Sequence, residues 1–466
     1  MLKKIRKFNN LMQQMKKIFF LIIFLNSIIS YSQCWQKITG KGEHTLSIKN
    51  DGTLWAWGRN SEGQLGDGTN VNKTIPTQIG NYNNWMSISV SLYHSAAIKS
   101  DGTLWTWGIN NYGQLGNGNN TNQNIPIQVG NATDWQSVSC GNSFTIAKKV
   151  NGTIWACGGN FDGQLGDSSY LSKNIFTQIG TDNNWDIITA GDTHCVAKKM
   201  NGTLWSWGRN DWSQLGNGNN INQNFPVQIG NSNNWQNITT GEEHTIAIKN
   251  DGTLWAWGYN PYGQVGNGTI VNQSNPIQIG TNNNWVKISS CGFHNFASKT
   301  DGSFWTWGLN ADGQLGDQTI IDKIIPTLMS NSNWSIFVGG WSYTAVIKND
   351  GTLSTWGRND RGQLGNGNLI NNNIPTQVNC NNLSIDNDIS DKSFLIYPNP
   401  TNDFINIMNF YDNKINEVSI SDVSGKIVLF KKNNLSLIDL SYLQNGIYFI
   451  SITTENLTIK SKIIKN

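Results

Sequence analysis

The sequence lacks most of the constellations that mark an enzyme or a nucleotide-binding protein. It contains no glycine-rich phosphate loop of the Walker type, and its five histidines and six cysteines are few for 466 residues. Beyond the N-terminal end, no apolar run is long enough to cross a bilayer as a helix. These absences argue against phosphate-loop chemistry and against a helical membrane protein.

Acidic residues are missing from the first 33 positions, which instead carry six basic ones. Lys16 and Lys17 precede the apolar run Ile18–Leu25, which is too short to span a membrane. Residues 1–33 are therefore predicted to be a secretory signal peptide. Without them, 27 basic and 30 acidic residues remain, a net charge of −3. An acidic mature chain argues against nucleic acid as a partner, because phosphate binding needs a basic surface.

What the sequence does contain is a unit of 50 residues that recurs seven times. Each copy opens on a tryptophan, and five of the six intervals are 50 residues and the last is 49: Trp35, Trp85, Trp135, Trp185, Trp235, Trp285 and Trp334. Each copy has four strand-like pieces, which in the fifth copy are Trp235–Thr239, His244–Lys249, Thr253–Trp257 and Pro276–Ile279. Asp-Gly or Asn-Gly lies between the second and third pieces, a strong hairpin signal. Seven such units predict an all-β, seven-bladed β-propeller over residues 34–380.

The repeat also resembles a known family. The motif Gly63-Gln-Leu-Gly66, preceded by Asp51-Gly-Thr-Leu-Trp-Ala-Trp-Gly58 and Gly42-Glu-His44, is similar to the repeat of the regulator of chromosome condensation family. The Gln-Leu-Gly core recurs in all seven copies, once as Gln-Val-Gly at Val265. This resemblance covers the whole array and likewise implies a seven-bladed propeller.

The C-terminal residues have a different composition. A polar stretch, residues 381–392, is predicted to be a flexible linker. Residues 393–466 resemble the C-terminal sorting domain of the type IX secretion system, through Tyr397-Pro-Asn-Pro-Thr401, Asp422-Val-Ser-Gly-Lys426 and Asn445-Gly-Ile-Tyr-Phe-Ile450. Taken from its alternating pattern alone, this segment is a small β-sandwich. The resemblance implies a bacterial protein that the type IX machinery exports to the cell surface or the medium, where the sorting domain is either cleaved or serves as an anchor.

No residue stands out as catalytic. All five histidines, His44, His94, His194, His244 and His294, occupy one repeat position, which Phe144 and Tyr343 fill in the other two copies. A position that accepts His, Phe or Tyr indicates packing and hydrogen bonding rather than metal binding or a catalytic triad. We therefore expect neither an enzyme nor a cofactor or metal site.

The cysteines divide into two kinds. Four lie inside the repeats and are expected to be free and inert: Cys140, Cys157, Cys195 and Cys291. Cys34 and Cys380 lie just outside the two ends of the array, which a closed ring brings together. They are predicted to form a disulfide, which export permits. The alternatives are two unrelated thiols, or lipidation of Cys34.

The connections between strands separate into two kinds. Alternating strand direction places the first and third connections of every copy on one side of the ring, here named the variable face, and the other two on the opposite framework face. The first and third connections vary between copies and are rich in aromatic residues and arginine, the residue types that dominate protein-binding hot spots. The predicted partner-binding residues are Arg59, Tyr93, Tyr112, Phe161, Arg209, Trp212, Tyr259, Tyr262, Phe293, Trp341, Arg358 and Arg361.

These observations predict an exported, monomeric propeller that captures a protein partner through its variable face. A cell-surface adhesin or glycan-binding protein is the alternative, because Tyr and Trp also stack on sugars. Guanine-nucleotide exchange, the activity for which the resembled family is named, fits less well because an exported protein meets no small GTPase.

Overall fold

A computed structural model describes residues 34–330, 334–378, 394–397, 401–409, 415–432, 435–454 and 458–465. The predicted signal peptide and linker lie outside these residues. The chain divides into two compact units on either side of residue 380. The first is a seven-bladed propeller and the second a small all-β unit, so the predicted fold class is confirmed. None of the described segments forms a helix that could cross a membrane.

Each blade is an antiparallel sheet of four strands that follow one another in the chain. The strands of blades 1 to 4 are β1 (Trp35–Lys41), β2 (His44–Lys49), β3 (Leu54–Gly58), β4 (Lys73–Gln78); β5 (Trp85–Val90), β6 (His94–Lys99), β7 (Leu104–Gly108), β8 (Gln123–Gln128); β9 (Trp135–Cys140), β10 (Phe144–Lys149), β11 (Ile154–Gly158), β12 (Lys173–Gln178); β13 (Trp185–Ala190), β14 (His194–Lys199), β15 (Leu204–Gly208), β16 (Gln223–Gln228). The strands of blades 5 to 7 are β17 (Trp235–Thr240), β18 (His244–Lys249), β19 (Leu254–Gly258), β20 (Gln273–Gln278); β21 (Trp285–Cys291), β22 (His294–Lys299), β23 (Phe304–Gly308), β24 (Lys323–Ser330); β25 (Trp334–Gly339), β26 (Tyr343–Lys348), β27 (Leu353–Gly357), β28 (Asn372–Val378).

The first strand of each blade lies nearest the axis of the ring, since first strands of neighbouring blades contact one another. The Asp-Gly turn between second and third strands requires its glycine: Gly52 has φ +79°, and a Cβ there would lie 1.9 Å from the carbonyl oxygen of Asn83. The second and third strands are buried on both faces, because neighbouring sheets cover them.

The Gln-Leu-Gly motif marks the joint between blades. The backbone carbonyl of Gln64 accepts a hydrogen bond from Trp107 Nε1 at 2.8 Å and another from Ser95 Oγ at 2.8 Å, both from blade 2. The third connection then reaches over the next blade, where the Gly68 amide donates to the Asn124 carbonyl at 2.8 Å. The equivalent carbonyl of every blade accepts at least one hydrogen bond from the next blade.

The same bonds close the ring between blades 7 and 1. Trp57 Nε1 donates to the Gln363 carbonyl at 3.0 Å, and the Gly367 amide donates to the Thr74 carbonyl at 2.9 Å. Tyr343 adds a hydrogen bond from its hydroxyl to the His44 carbonyl at 2.7 Å. Closure is thus achieved without any strand being exchanged between the two terminal blades.

Blade 3 departs from the repeat at two positions that compensate one another. Cys157 stands where six blades have tryptophan, and Phe176 stands where six have proline. The phenyl ring fills the space of the missing indole: a Cβ on Gly116 would lie 2.6 Å from Phe176 and 2.9 Å from Cys157 Sγ. The ring also packs on Trp135, with centroids 5.2 Å apart.

The cysteines follow the predicted division as far as the described residues show it. Cys140, Cys157, Cys195 and Cys291 are free and buried, and burial raises the pKa of Cys140 and of Cys291 to about 12, which makes their thiols unreactive. Cys34 is disulfide-bonded. Cys380 lies outside the described residues, so the pairing of these two stays a prediction.

The described residues of the second unit form seven strands in two sheets. They are β29 (Phe394–Tyr397), β30 (Phe404–Asn409), β31 (Ile415–Ser421), β32 (Ile427–Lys431), β33 (Leu437–Asp439), β34 (Gly446–Thr454) and β35 (Thr458–Lys465). The sheets have the orders β29-β30-β33 and β32-β31-β34-β35. Ile405 and Ile438 from the first sheet and Val418 and Ile450 from the second share one core, which makes this unit a sandwich.

Candidate functional site

The third connection of each blade is held in shape by one buried asparagine. In blade 1, Asn60 Nδ2 donates to Asp67 Oδ1 at 3.0 Å and to the Val71 carbonyl at 3.2 Å, while its Oδ1 accepts the Leu65 amide at 2.9 Å. Asn110, Asn160, Asn210, Asn260, Asn310 and Asn359 occupy the equivalent position and are also fully buried. The residue just before this asparagine, Arg59 in blade 1, is therefore displayed from a rigid support.

Contacts between the first and third connections show that both lie on one side of the ring, the variable face. Arg59 Nη1, from the third connection of blade 1, donates to Glu43 Oε2, from the first, at 2.9 Å. The guanidinium also lies over the ring of Tyr93 in blade 2, 4.8 Å from its centroid. The parity of the strands thus brings together residues that are 16 and 34 positions apart in the chain.

Eleven of the twelve predicted partner-binding residues fall into three groups on this face, and the twelfth, Arg209, borders the third. The first group spans blades 7, 1 and 2 and contains Arg59, Tyr93, Trp341, Arg358 and Arg361. Arg358 lies 5.8 Å from the Trp341 ring, 3.7 Å from Glu43 Oε1 and 2.7 Å from Asp360 Oδ2. Asp360 is also 3.9 Å from Arg361. The arginines of this group are therefore paired with acids of the chain itself.

The second group is a single pair of rings on blades 2 and 3. Tyr112 and Phe161 meet edge to face with centroids 5.3 Å apart, and Phe161 is 63% exposed. The phenyl ring is among the most exposed aromatic side chains of the propeller, although it keeps one neighbour on the variable face.

The third group, on blades 4, 5 and 6, is named here the aromatic patch: Trp212, Tyr259, Tyr262 and Phe293. Trp212 contacts Tyr259 at 5.1 Å between centroids, and Phe293 contacts Tyr259 at 5.8 Å and Tyr262 at 5.5 Å. Trp212 is 40% exposed. Arg209 borders the patch and pairs with Asp211 at 2.8 Å. The repeat therefore juxtaposes on one surface side chains from three successive blades.

Acidic residues beside the aromatic patch were not among the predicted set. Glu243 lies 3.8 Å from Arg209, and its Oε2 accepts a hydrogen bond from Gln214 Nε2. Burial, reinforced by the nearby Asp192 carboxylate, raises the pKa of Glu243 to about 8. Burial also raises the pKa of Glu242 and of Asp192. The sequence does contain a signal for this residue, because Glu243 and Glu43 occupy the same position of the repeat.

Lys41 crosses the axis of the ring at its variable-face end, a contact that no repeat pattern indicates. Its ammonium donates to the carbonyls of Cys140 at 3.1 Å, Ala190 at 2.9 Å and Gly191 at 3.0 Å, which belong to blades 3 and 4. It also lies 3.8 Å from Asp192. The other blades have Ser, Gly or Cys at this repeat position, so Lys41 is unique in the ring.

We expect Lys41→Met to destabilise the propeller by about 2–3 kcal/mol, because three carbonyls and one carboxylate lose their cation. Urea unfolding of the mature protein measures this. Lys37→Met on the same strand is the control, since Lys37 is exposed and donates a single bond to Met86. Equal stability of the two variants would show that the axial contacts of Lys41 contribute nothing.

Four of the five histidines form a hydrogen bond to the next blade, and His194 is the exception. His44 Nε2 lies 2.9 Å from Ser95 Oγ, and His94 Nε2 lies 2.8 Å from Thr145 Oγ1. Because these hydroxyls donate to the Gln64 and Gln114 carbonyls, the histidine nitrogen must be the donor. Burial lowers the histidine pKa to about 3, or about 4 for His244. Among the described residues, no cluster of His, Cys, Asp or Glu could hold a metal ion.

Comparison with protein families supports the architecture. The model of the RCC1-like domain matches residues 24–292, which is more than half of the chain. The chain belongs to the RCC1-like domain family. The RCC1 repeat matches residues 301–347 and 350–387 of this RCC1-like propeller, and the secretion system C-terminal sorting domain matches residues 395–466. The sorting domain shows that this RCC1-like protein is exported.

Solved structures show the same fold. The RCC1-like propeller is similar to human WBSCR16, with a TM-score of 0.64 and 21% identity over 70% of this chain and 94% of that one. It is also similar to yeast RCC1 (Prp20) in its complex with Kap60, with a TM-score of 0.63 and 17% identity over 80% and 88% of the two chains. A second structure of Prp20p from Saccharomyces cerevisiae gives a TM-score of 0.61 and 17% identity over 78% and 90%. No curated protein sequence matches the chain.

Proposed function

We propose that this exported RCC1-like propeller is a non-enzymatic binding protein that captures a protein partner through its variable face. The observation that carries the proposal is the aromatic patch, in which four rings from three blades adjoin one another on a rigid support. Aromatic residues dominate binding energy in protein interfaces because they bury a large area at a low entropic cost.

Similar propellers provide a precedent for protein binding. One of the yeast RCC1 structures is a complex with Kap60, and the other is described with binding properties to Gsp1p and histones. Their identity to this chain is 17%, so they support a propeller that binds proteins without indicating which protein this one binds.

The ring geometry favours a protein over a glycan. Planes of neighbouring rings in the aromatic patch make angles of 48–74°, so the rings share no common plane and the patch is faceted. Faceted aromatic surfaces suit the irregular side chains of a protein. A glycan array of the mature protein distinguishes the adhesin alternative, which predicts saturable binding to particular sugars.

We expect Trp212→Ala and Tyr262→Ala each to reduce capture of a partner at least tenfold, since a central aromatic anchor contributes about 2 kcal/mol or more. The measurement is a pull-down from the growth medium of the source bacterium with immobilised mature protein, followed by affinity titration of the captured protein.

The matched control is Tyr82→Ala, which removes an exposed tyrosine from the framework face, where Tyr82 packs on Trp105. Capture that survives both variable-face substitutions but fails with Tyr82→Ala would move the binding surface to the framework face and contradict the proposal.

A further inference from the structure

One repeat position carries glutamate in two blades, and the surroundings of the two carboxylates differ. In blade 1, Glu43 is bound by Arg59 at 2.9 Å from its own blade and approached by Arg358 at 3.7 Å from the preceding one. Its side chain is 5% exposed. Two guanidinium groups and an almost closed environment make this the satisfied form of the site.

In blade 5 the equivalent carboxylate lacks one of its two arginines. Arg209 of the preceding blade corresponds to Arg358 and lies 3.8 Å from Glu243, and it is paired with Asp211 at 2.8 Å just as Arg358 is paired with Asp360 at 2.7 Å. The place of Arg59 is taken by Tyr259, which has no positive charge. The Glu243 side chain is also more open than that of Glu43, at 14% exposed.

Charge around Glu243 is unbalanced as a result. Two cations, Arg209 and Lys41, lie among five carboxyl groups that interact with one another. These carboxyl groups belong to Asp162, Asp192, Asp211, Glu242 and Glu243. Glu242 itself stands where blade 1 has Gly42. Burial and this shortage of positive charge together raise the pKa of Glu243, because both disfavour its ionised form.

The aromatic patch forms the wall of this acidic site. In blades 1 and 2 a guanidinium lies over the ring of Tyr93, 4.8 Å from its centroid. In blades 5 and 6 the equivalent of Tyr93 is Phe293, and Tyr259 packs against it. A guanidinium pairs with a carboxylate and stacks on an aromatic ring at the same time, whereas an ammonium group does so less well.

We propose that the blade 5 site receives an arginine of the partner, whose guanidinium pairs with Glu243 beside the Tyr259–Phe293 rings while apolar neighbours of that arginine lie on the aromatic patch. This inference rests on the proposed function and adds the chemistry of the partner. The occupant is a protein segment with an arginine between apolar residues. Charge complementarity argues for it, since an acidic segment would face five carboxyl groups.

The test uses two tripeptide probes, acetyl-Phe-Arg-Phe-amide and acetyl-Phe-Gln-Phe-amide, titrated against the mature protein at pH 9, where Glu243 with its pKa of about 8 is ionised, and followed by saturation-transfer NMR. The arginine probe is expected to bind about tenfold more tightly, because a charge-assisted hydrogen-bonded pair replaces a neutral contact. Glu243→Gln is expected to reduce its affinity to that of the glutamine probe. The control Glu62→Gln, also on the variable face, should change neither affinity.

Tyr259→Arg provides a second, independent variant. It rebuilds the blade 1 arrangement, so the internal guanidinium should satisfy Glu243 and abolish the preference for the arginine probe. Circular dichroism checks that this variant folds, and the Glu243→Gln comparison decides the question if it does not.

The outcomes separate this inference from the proposed function. Equal binding of both probes, with both lost in Trp212→Ala, overturns the arginine specificity and leaves the variable face as a binding surface. An arginine preference that persists in Glu243→Gln, or the absence of binding by either probe, also overturns the inference. Capture from the growth medium judges the proposed function separately.

Discussion

Acidification from pH 7 to pH 5 is expected to remove the stabilisation that depends on five buried histidines, because these must remain neutral in the folded ring. Their pKa falls from the ordinary 6.5 to about 3, or about 4 for His244. Below pH 6.5 the histidines of the unfolded chain bind protons, whereas the buried histidines of the folded chain stay neutral. Their contribution to the free energy of unfolding therefore decreases as the pH falls. At pH 5 each histidine costs about 2 kcal/mol. The raised pKa of Glu243 acts in the opposite direction, because that carboxyl group binds its proton more tightly in the folded chain than in the unfolded one.

His194→Phe isolates one of these histidines. Among the described residues, neither ring nitrogen of His194 has a hydrogen-bond partner. Phe144 occupies the equivalent position of blade 3, beside the equivalent glycine. The variant should therefore lose little at pH 8 and gain about 2 kcal/mol over the native protein at pH 5.

Urea unfolding between pH 8 and pH 5 measures the effect, with His44→Phe as the matched comparison. His44→Phe removes the same titration but also the bond to Ser95, so it should be less stable than the native protein at pH 8. A dependence of stability on pH that is unchanged in His194→Phe would show that this histidine does not drive acid unfolding.

Replacing Cys157 with tryptophan is expected to destabilise the ring by about 3 kcal/mol or more, although tryptophan is the residue of the repeat. Phe176 already fills the space over Gly116 that the indole needs. Phe176→Pro alone should leave a cavity and cost about 3 kcal/mol. The double variant restores the pair found in other blades and gives the indole the Gln114 carbonyl as an acceptor, so its stability should return to within about 1 kcal/mol of native.

A double-mutant cycle by urea unfolding measures this coupling. The reciprocal exchange, Trp207→Cys with Pro226→Phe, places the blade 3 pair in blade 4 and serves as the matched cycle. Additive effects in both cycles would mean that the two positions do not share one space.

The propeller was predictable because its information is local and repeated. The Asp-Gly or Asn-Gly turns, the apolar strands and the Gln-Leu-Gly motif lie within one 50-residue copy, and all seven copies carry these signals. The predicted strands of the fifth copy differ from β17, β18 and β19 by at most one residue at each end, but its fourth piece, predicted from Pro276, begins earlier in β20 at Gln273. The early start has a physical cause, because Gln273 pairs with Gly258 at the end of β19 across a register shift between Ala256 and Gly258.

The candidate site was less predictable because it depends on relations between blades. Strand parity placed the twelve predicted residues on one face, yet their division into three groups follows from which blades are neighbours and which side chains meet across the joint. In the sequence Glu243 has the features of an ordinary loop residue. Its surroundings in the structure distinguish it from Glu43. The contacts of Lys41 with blades 3 and 4 cross the axis, and no pattern within a 50-residue unit encodes them.

The third connection, which reaches from each blade over the next, gives the ring a direction. Six of these links form between neighbours in the chain, whereas the link from Gly367 to Thr74 joins the last repeat to the first. As the chain elongates from its N-terminus, each new blade can bind the blade that precedes it in the chain. The first blade can bind its other neighbour only when the seventh blade has been made. A chain shortened by one repeat would leave both terminal blades without a neighbour. Closure of the ring thus fixes the number of blades, although the individual repeats have similar structures.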